Sequence, residues 1–279
     1  MTGSLASLTP LPRVNVLGVG VHAIDLQQAV GVIENAIAER QRGYLCVTGV
    51  HGVMEAQRDR SLMPVFADAL LVVPDGMPTV WMGHLQGFRK MKRVFGPDLM
   101  FEVAWRLHAK RCSHFFYGGG PGVAEQLRDV LQRKCPSMRI VGTYTPPFRK
   151  LTDVEDLGLL RMVDRLQPDV IWVGLSTPKQ ERFMAEYLPR LNTTLMIGVG
   201  AAFDFHTGRI KDSPQWLKAA GLQWLHRLIQ EPSRLWKRYL VNNPQFIFQA
   251  GLQLAGLLHY SLPPAHLSPS AGSYPIARM

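Results

Sequence analysis

Asp75 is the strongest candidate in this sequence for a residue that moves a proton. It follows the apolar run Leu70–Val73, which predicts a short buried strand, and Pro74, which ends that strand because proline has no N–H to donate. Ligands of parallel α/β sheets bind just outside the carboxyl ends of the strands, and Gly76 leaves room for a ligand beside the carboxylate. Asp75 is therefore a candidate general base. The alternative is that its side chain caps a helix over residues 76–85.

Three glycines, Gly118, Gly119 and Gly120, open a GGGPG run between a predicted strand and a predicted helix. Backbone N–H groups at such a helix start suit a phosphate or diphosphate, although a tight turn without a ligand explains the same glycines. A dinucleotide-binding loop calls for an acidic residue about 20 positions further on, at the end of the next strand. Residues 138–144, MRIVGTY, contain none, which speaks against NAD.

Two later loops carry polar residues at predicted strand ends. In GLSTPKQE, residues 174–181, the Gln180 amide both donates and accepts hydrogen bonds and suits a sugar or a uracil edge. Helix capping by a hydroxyl of this loop is the alternative. In GAAFDFHTG, Asp204 stands close to His206, but no G-x-S-x-G accompanies them to complete a hydrolase triad.

The sequence shows no metal-ligand spacing and no convincing Asp-x-Asp to hold a divalent ion on a nucleotide sugar. We therefore expect no metal and no cofactor. Any diphosphate charge is then met by Arg, Lys and backbone dipoles.

The net charge of +10 is concentrated toward the C-terminal end. Residues 206–279 hold eight of the 31 Lys and Arg but only two of the 21 Asp and Glu. This balance indicates a polyanionic partner: nucleic acid, an anionic membrane or phosphorylated substrates. Nucleic acid is disfavoured, because the basic stretch at 86–96 is short and no recognised nucleic-acid-binding module accompanies it.

The predicted compartment is a reducing cytoplasm. Three cysteines without a C-x-x-C argue against a disulfide framework. The first residues lack the basic and apolar regions of a signal peptide, and no apolar run reaches the roughly 18 residues of a transmembrane helix.

Strand and helix patterns alternate along most of the chain. Predicted strands cover residues 14–19, 44–47, 70–73, 114–117, 138–141, 170–173 and 194–199. Asp25 and Asp98 are predicted to cap helices between them. The alternation predicts an α/β fold: a Rossmann-like, mostly parallel sheet with helices on both faces.

The predicted domains follow from where this alternation stops. We expect a Rossmann-like core over residues 13–209 and a basic helical appendage over 210–260, with disordered ends at 1–12 and 261–279. The appendage shows helical patterns at 214–240 and 244–259. Its Trp and Arg residues describe either a solvated helix face or a membrane interface that holds an anionic headgroup.

Taken together, the motifs resemble those of the WecG/TagA/CpsF glycosyltransferase family over about residues 14–240. The matching stretches are VTGVHGVMEAQRD (47–59), ADALLVVPDG (67–76), RVFGPDLM (93–100), FFYGGGPGVAEQL (115–127), PDVIWVGLSTPKQE (168–181), IGVGAAFDF (197–205) and GLQWLHRLIQEPSRLWKRYL (221–240). Seven blocks in this order are far more specific than any one of them.

The resemblance implies a metal-independent, inverting transfer of a sugar from a UDP-sugar to a polyprenyl-diphosphate-linked saccharide, typically an undecaprenyl one, in cell-surface polysaccharide biosynthesis. It also implies an appendage that closes over the site at the inner face of the plasma membrane. It leaves the oligomeric state open, with a homo-oligomer among the alternatives.

Residue by residue, the resemblance places Asp75 on the proposed catalytic base and Thr48 near the acceptor and donor. The other positions that it carries over to substrate binding are Arg93, Gln180, Arg227, Arg234 and Arg238, the last interchangeable with Lys237. Many members have T-P-N where this chain has Thr48-Gly49-Val50, so the asparagine contact is either lost or supplied by another residue, for which His51 is the candidate. Gly118, Gly119, Gly120 and Asp204 complete the predicted site.

Two other functions stay open from the residues alone. One is a non-catalytic binding protein for lipid-linked saccharides, which the departure at Val50 keeps alive. The other is a dinucleotide-dependent oxidoreductase, against which the missing ribose-binding acid speaks.

Overall fold

The computed structural model describes residues 11–108 and 110–264. The strands are β1 (Arg13–Val16), β2 (Val19–His22), β3 (Gly43–Thr48), β4 (Leu71–Pro74), β5 (Ser113–Gly118), β6 (Arg139–Tyr144), β7 (Val170–Gly174) and β8 (Leu195–Gly198). The helices are α1 (Leu26–Ala38), α2 (Val50–Arg58), α3 (Leu62–Ala67), α4 (Met77–Leu85), α5 (Gly96–Leu107), α6 (Val123–Lys134), α7 (Asp153–Leu166), α8 (Lys179–Tyr187), α9 (Ala202–His206), α10 (Gln215–Ala219), α11 (Gln223–Gln230) and α12 (Pro232–Leu254).

Six of the seven predicted strands form one parallel sheet in the order β4-β3-β8-β7-β5-β6. The predicted α/β fold is therefore confirmed. Because parallel strands point the same way, their carboxyl ends share one edge of the sheet, and the loops after them converge there. The pairing of Thr48 with Pro74 sets the end of β3 directly beside the residue that precedes Asp75.

Successive side chains of a strand point to opposite faces of the sheet. Both faces are buried, each in its own core cluster. In β3, Cys46 joins one core cluster while Leu45 and Val47 join the other. The first cluster packs under α2, α3, α8 and α12, and the second under α1, α5, α6 and α9. Helices thus cover both faces, as the alternation predicts.

The predicted strand at 14–19 is wrong, because the chain reverses in the middle of it. Leu17 and Gly18 have φ of 50° and 83°, and two left-handed central residues close a two-residue turn between antiparallel β1 and β2. The Gln86 amide bonds the backbone N–H and C=O of Asn15, at 3.2 and 2.9 Å. The hairpin is thereby fastened to α4.

Helix starts were predicted with mixed success. Asp25 caps α1 in a capping box with Gln28, as expected. Asp98 does not cap α5: it lies in the first turn, and Phe95 is the N-cap. The Pro at the start of that helix moves its first residue ahead of Asp98. Two short helices, α3 and α9, were not predicted.

The C-terminal helix runs through Pro244, where the sequence predicts a break. The buried residues of α12, Leu235, Asn242, Phe246 and Ala250, lie at spacings of seven, four and four and share one face. This face packs against the core, and its burial carries the helix past the proline. Of the ends predicted to be disordered, 1–12 and 261–279, residues 1–10 and 265–279 lie outside the described residues, and residues 11–12 and 261–264 are described without helix or strand. Among the described helices, none combines the length and hydrophobicity needed to cross a bilayer.

Candidate active site

A cleft of about 1640 Å³ opens at the carboxyl edge of the sheet. Loops that follow β3, β4, β5, β7 and β8 line one side, and α11 and α12 line the other. Of the predicted site residues, those that line the cleft are Asp75, His51, Arg93, Gly119, Gly120, Gln180, Asp204, Arg227, Arg234 and Arg238. Eleven Lys and Arg line it against five Asp and Glu, so the cleft favours an anionic ligand.

Asp75 faces this cleft and does not cap a helix. The N-cap of α4 is Gly76, whose φ of 128° favours glycine, and no side chain caps the helix. The capping alternative is therefore wrong. Arg93 directs Nη2 and Nε to one carboxylate oxygen of Asp75, Oδ1, at 3.1 and 3.3 Å. In the described part of the chain, no group hydrogen-bonds the second oxygen, Oδ2, which leaves it available to a ligand.

Gly49 and Thr48 fix the backbone of Asp75 from below. The Asp75 N–H donates to the Thr48 carbonyl at 2.8 Å, and a Cβ on Gly49 would lie 2.2 Å from the Asp75 carbonyl oxygen. No side chain fits at position 49 without moving Asp75. Thr48 itself is buried and does not line the cleft, although its Oγ1 has no hydrogen-bond partner among the described residues.

Two aromatic rings lie between Arg93, which holds Asp75, and cations of the C-terminal helices. The Arg93 guanidinium lies 4.4 Å from the centre of the Phe95 ring, and Lys218 Nζ lies 5.3 Å from the same ring. Phe95 meets Phe205 edge to face at 5.3 Å, and Arg227 lies 5.4 Å from the Phe205 ring centre. Cation–π attraction thus holds three cations around two rings at the cleft wall.

The glycines of the GGGPG loop have different surroundings: some are packed against the protein and others line the cleft. Gly118 lies beneath the cleft, where a Cβ would meet the Gly174 carbonyl oxygen at 2.6 Å. The Gly119 N–H donates to that same oxygen at 2.9 Å and is not directed at a ligand. A Cβ on Gly120 would meet only Val123, at 3.8 Å, so the open space of the loop lies at this residue.

Gln180 lines the cleft with an amide whose geometry is set from within the protein. Its Oε1 accepts from the Gly200 N–H at 3.0 Å, and its Nε2 donates to Glu181 Oε1 at 3.0 Å. Thr177 Oγ1 donates to the same Glu181 oxygen at 3.0 Å. The predicted hydroxyl cap of α8 is absent, because its N-cap is Pro178 and no side chain bonds there.

Glu181 is fully buried, and burial raises the pKa of its carboxyl group. Hydrogen bonds from Gln180 and Thr177 oppose that shift, and so does the charge of Arg238. Its second oxygen has no partner in the described part of the chain. The residue is therefore a buried support for Gln180.

His51 has both ring nitrogens occupied by protein groups. Its Nε2 lies 3.3 Å from the Thr177 carbonyl oxygen and its Nδ1 lies 3.0 Å from Asn242 Nδ2. Burial, with the nearby charge of Arg238, lowers the pKa of His51 to about 3, so the ring is neutral at physiological pH. Its 3.7 Å approach to Glu55 is consequently no ion pair.

The predicted arginines lie at the cleft in different surroundings. Arg227 and Arg234 both donate to Glu231, at 3.0 and 2.7 Å. Arg238 is mostly buried, which lowers its pKa, and no described residue accepts a hydrogen bond from it. Burial raises the pKa of Asp204, and the charges of Arg234 and other arginines oppose that effect.

Sequence reasoning missed Phe95, Lys218 and Asn242. A lone phenylalanine and a lone lysine carry no spacing signal, and Asn242 falls in the predicted break between two helices. His206 is directed to the Pro97 carbonyl at 3.0 Å and takes no part in the cleft, consistent with the absence of a triad motif.

Residues 14–259 match the Glycosyl transferase WecG/TagA/CpsF family. The match covers most of the 279 residues, and the chain belongs to this family. It is therefore a glycosyltransferase, and the oxidoreductase alternative is wrong.

Curated relatives carry one shared name. A Bacillus subtilis (strain 168) protein is 31% identical over 186 residues, covering 66% of this chain and 70% of its own. A Bacillus spizizenii protein is 26% identical over 217 residues, 77% of this chain and 82% of its own. A Staphylococcus aureus (strain MW2) protein is 24% identical over 241 residues, covering 85% of this chain and 91% of its own. Each is named N-acetylglucosaminyldiphosphoundecaprenol N-acetyl-beta-D-mannosaminyltransferase.

The buried carboxyl of Glu181 predicts a pH-dependent stability. Because its folded pKa lies above the ordinary value of 4.5, its contribution is complete below that value and is lost as pH rises through the folded pKa. As pH rises above 4.5, we expect Glu181→Gln to become more stable relative to wild type, because the amide stays neutral while the carboxyl group ionises in the unfolded state. Urea denaturation over a pH series measures the stability of both proteins. Parallel curves for the two proteins would contradict a raised pKa.

Gly49→Ala tests the close approach to Asp75. The added methyl group must displace the Asp75 backbone, and such overpacking costs about 1–3 kcal/mol of folding free energy. We expect lower stability and lower transferase activity together. Gly31→Ala is the matched control: its Cβ meets nothing within 4 Å, and in α1 alanine stabilises by about 0.5–1 kcal/mol. A Gly49→Ala protein as stable and active as wild type would refute the constraint.

Proposed function

We propose that this glycosyltransferase moves an N-acetylhexosamine, of the N-acetylmannosamine type, from a UDP-sugar to an undecaprenyl-diphosphate-linked saccharide. The observation that carries the proposal is the cleft itself: one carboxylate held by Arg93, facing a wall of cations supplied by the C-terminal helices. The names of the relatives supply the sugar and the acceptor class.

The chemistry is a single displacement that inverts the anomeric carbon. The acceptor hydroxyl oxygen attacks that carbon, and the bond from the carbon to the UDP oxygen breaks. The hydroxyl proton passes to Asp75, whose Oδ2 is open to the cleft while Oδ1 is held by Arg93. UDP departs with the electron pair of the broken bond.

Cations on the cleft wall stabilise the negative charge that develops on UDP. Arg93 and Lys218 lie on the Phe95 ring, and Arg227 and Arg238 face the same space. Fixed charges in a partly desolvated cleft act without reorganisation during the reaction. This is the role that we assign to the arginines instead of a metal ion.

The departure of Thr48-Gly49-Val50 from the frequent T-P-N makes turnover the point to test, against a family member that has kept substrate binding and lost catalysis. Such a protein would bind the same substrates and release no UDP. A screen of UDP-sugars with a lipid-diphosphate acceptor analogue separates the two, because only a transferase produces UDP in an acceptor-dependent manner.

Asp75→Asn tests the base. The amide cannot accept the proton, so kcat should fall by about 10²–10⁴ while UDP binding is retained. Acceptor-dependent UDP release and calorimetric UDP binding are the two measurements. Asp164→Asn, an exposed carboxylate of α7 outside the cleft, is the control and should act as wild type. Near-normal turnover by a folded, UDP-binding Asp75→Asn protein would sink the assignment.

The same proposal places the protein on the cytoplasmic face of the plasma membrane, where its lipid-linked acceptor resides. Four apolar side chains of α12, Trp236, Leu240, Ile247 and Leu254, are 43–69% exposed at spacings of four, seven and seven. This spacing puts them on one face of the helix. The exposed Lys237 follows Trp236 and suits anionic headgroups.

Liposome sedimentation tests that membrane contact. Ile247→Glu combined with Phe248→Glu places two negative charges on the exposed side of α12, and we expect binding to anionic vesicles to fall at least about tenfold, because buried apolar area and charge attraction are both lost. Val154→Glu changes an apolar residue on α7 that is 81% exposed, more than either α12 residue, and serves as the control. Equal sedimentation of both variants would contradict docking through α12. Point variants suit this test, because Phe246 and Ala250 of α12 belong to the core.

A further inference from the structure

Polar contacts fasten α12 to the rest of the protein at two places. Near the cleft, Asn242 contacts His51, and near the other end Gln253 contacts the hairpin. Gln253 accepts from the Leu17 N–H at 3.0 Å and donates to the Asn15 carbonyl at 2.9 Å. Asn242 is only 2% exposed, and a buried amide is costly unless its hydrogen bonds are made.

The donors and acceptors around Asn242 form one consistent chain. Arg58 can only donate, so the atom of Asn242 that it contacts is Oδ1. Asn242 Nδ2 then faces His51 Nδ1 at 3.0 Å, and this ring nitrogen must accept. The ring proton therefore sits on Nε2, which donates to the Thr177 carbonyl at 3.3 Å. Every group in the chain has a partner of the right kind.

This series of hydrogen bonds lies one helical turn from Arg238, the cleft arginine of α12. Asn242 is four residues after Arg238, and side chains at this spacing lie on the same face. Pro244 follows two residues later and cannot donate to the carbonyl of Leu240, so the helix has lost one of its own hydrogen bonds at this point. The contacts of Asn242 thus lie next to the point where α12 lacks one backbone hydrogen bond.

We propose that the His51–Asn242 hydrogen bond, with Arg58 and Thr177 at its ends, is a latch that sets the register of α12 and so positions Arg238 in the cleft. His51 and Asn242 are positioning residues, not ligands of the sugar. Arg238 has no hydrogen-bond acceptor of its own among the described residues, so its placement depends on what holds its helix. The inference rests on the proposed function in one respect, that Arg238 binds a diphosphate.

A double-mutant cycle on the full chain tests the latch, with inorganic pyrophosphate as the probe. The variants are Asn242→Leu, Arg238→Gln and their combination, with binding measured by calorimetry. If the latch acts through Arg238, each single change weakens binding about tenfold and the double change weakens it no further. Full additivity, or wild-type binding by Asn242→Leu, would overturn the proposal.

Two further variants separate positioning from simple docking. Gln253→Leu removes the polar contacts at the far end of α12, so it should lower stability yet bind pyrophosphate as wild type does. His51→Gln keeps one donor and one acceptor and should retain most of the binding. If Gln253→Leu weakens binding as much as Asn242→Leu, α12 is merely docked and the latch has no special role.

Hydrogen exchange gives a readout that does not depend on any ligand. Asn242→Leu should speed amide exchange at residues 236–243, and Gln253→Leu should leave that segment protected. Unchanged exchange in Asn242→Leu would overturn the latch by itself. Failure of wild type to bind pyrophosphate, with exchange as expected, would instead count against the diphosphate role in the proposed function.

Discussion

The packing of α12 against the sheet core decides where half of the cleft lies. Leu235 and Phe246 are almost fully buried, and each such side chain contributes about 1.5–3 kcal/mol on burial. Pro244 costs about 3 kcal/mol inside a helix. Two buried side chains are therefore enough to offset the proline, and the helix continues where a local rule predicts that it ends. The arginines of the C-terminal helices reach the cleft because of this packing.

The cleft holds an excess of positive charge, and weak ion pairs together with aromatic rings keep its cations in place. Asp75 pairs with Arg93, and Glu231 pairs with Arg227 and Arg234. These partly exposed pairs are individually weak, on the order of 1 kcal/mol or less. The rings of Phe95 and Phe205 attract the same cations without neutralising their charge. An arriving anion can therefore bind a cation that still lies on a ring. An anionic ligand can thus exchange partners with the arginines at low cost.

The sequence predicts the parts of this site that depend on strand ends and little of what depends on packing between distant segments. Asp75 could be found because an apolar run, a proline and an acid mark the end of a strand, and parallel strands share one edge. The turn at Leu17 and Gly18 was missed because its first residue is not one that favours a left-handed backbone. Asn242 could not be found, since its partners His51 and Arg58 lie nearly 200 residues away in the chain.

Under the proposed function, the departure from T-P-N changes which groups remain to recognise the sugar. Position 50 is an apolar valine, and the polar His51 beside it spends both nitrogens on Thr177 and Asn242. The Gln180 amide is likewise committed, to Gly200 and Glu181, so it presents a fixed edge and cannot rotate to suit a ligand.

Side chains that face the cleft with no hydrogen-bond partner in the described chain are better placed to discriminate between sugars. They include Asp204, Tyr239 and Asn243. Asp204 lies after β8, whereas Tyr239 and Asn243 belong to α12. Under the proposed function, specificity therefore depends on the position of α12 as much as on the sheet. A change in the register of that helix would then alter which sugar is accepted as well as how well the diphosphate is held.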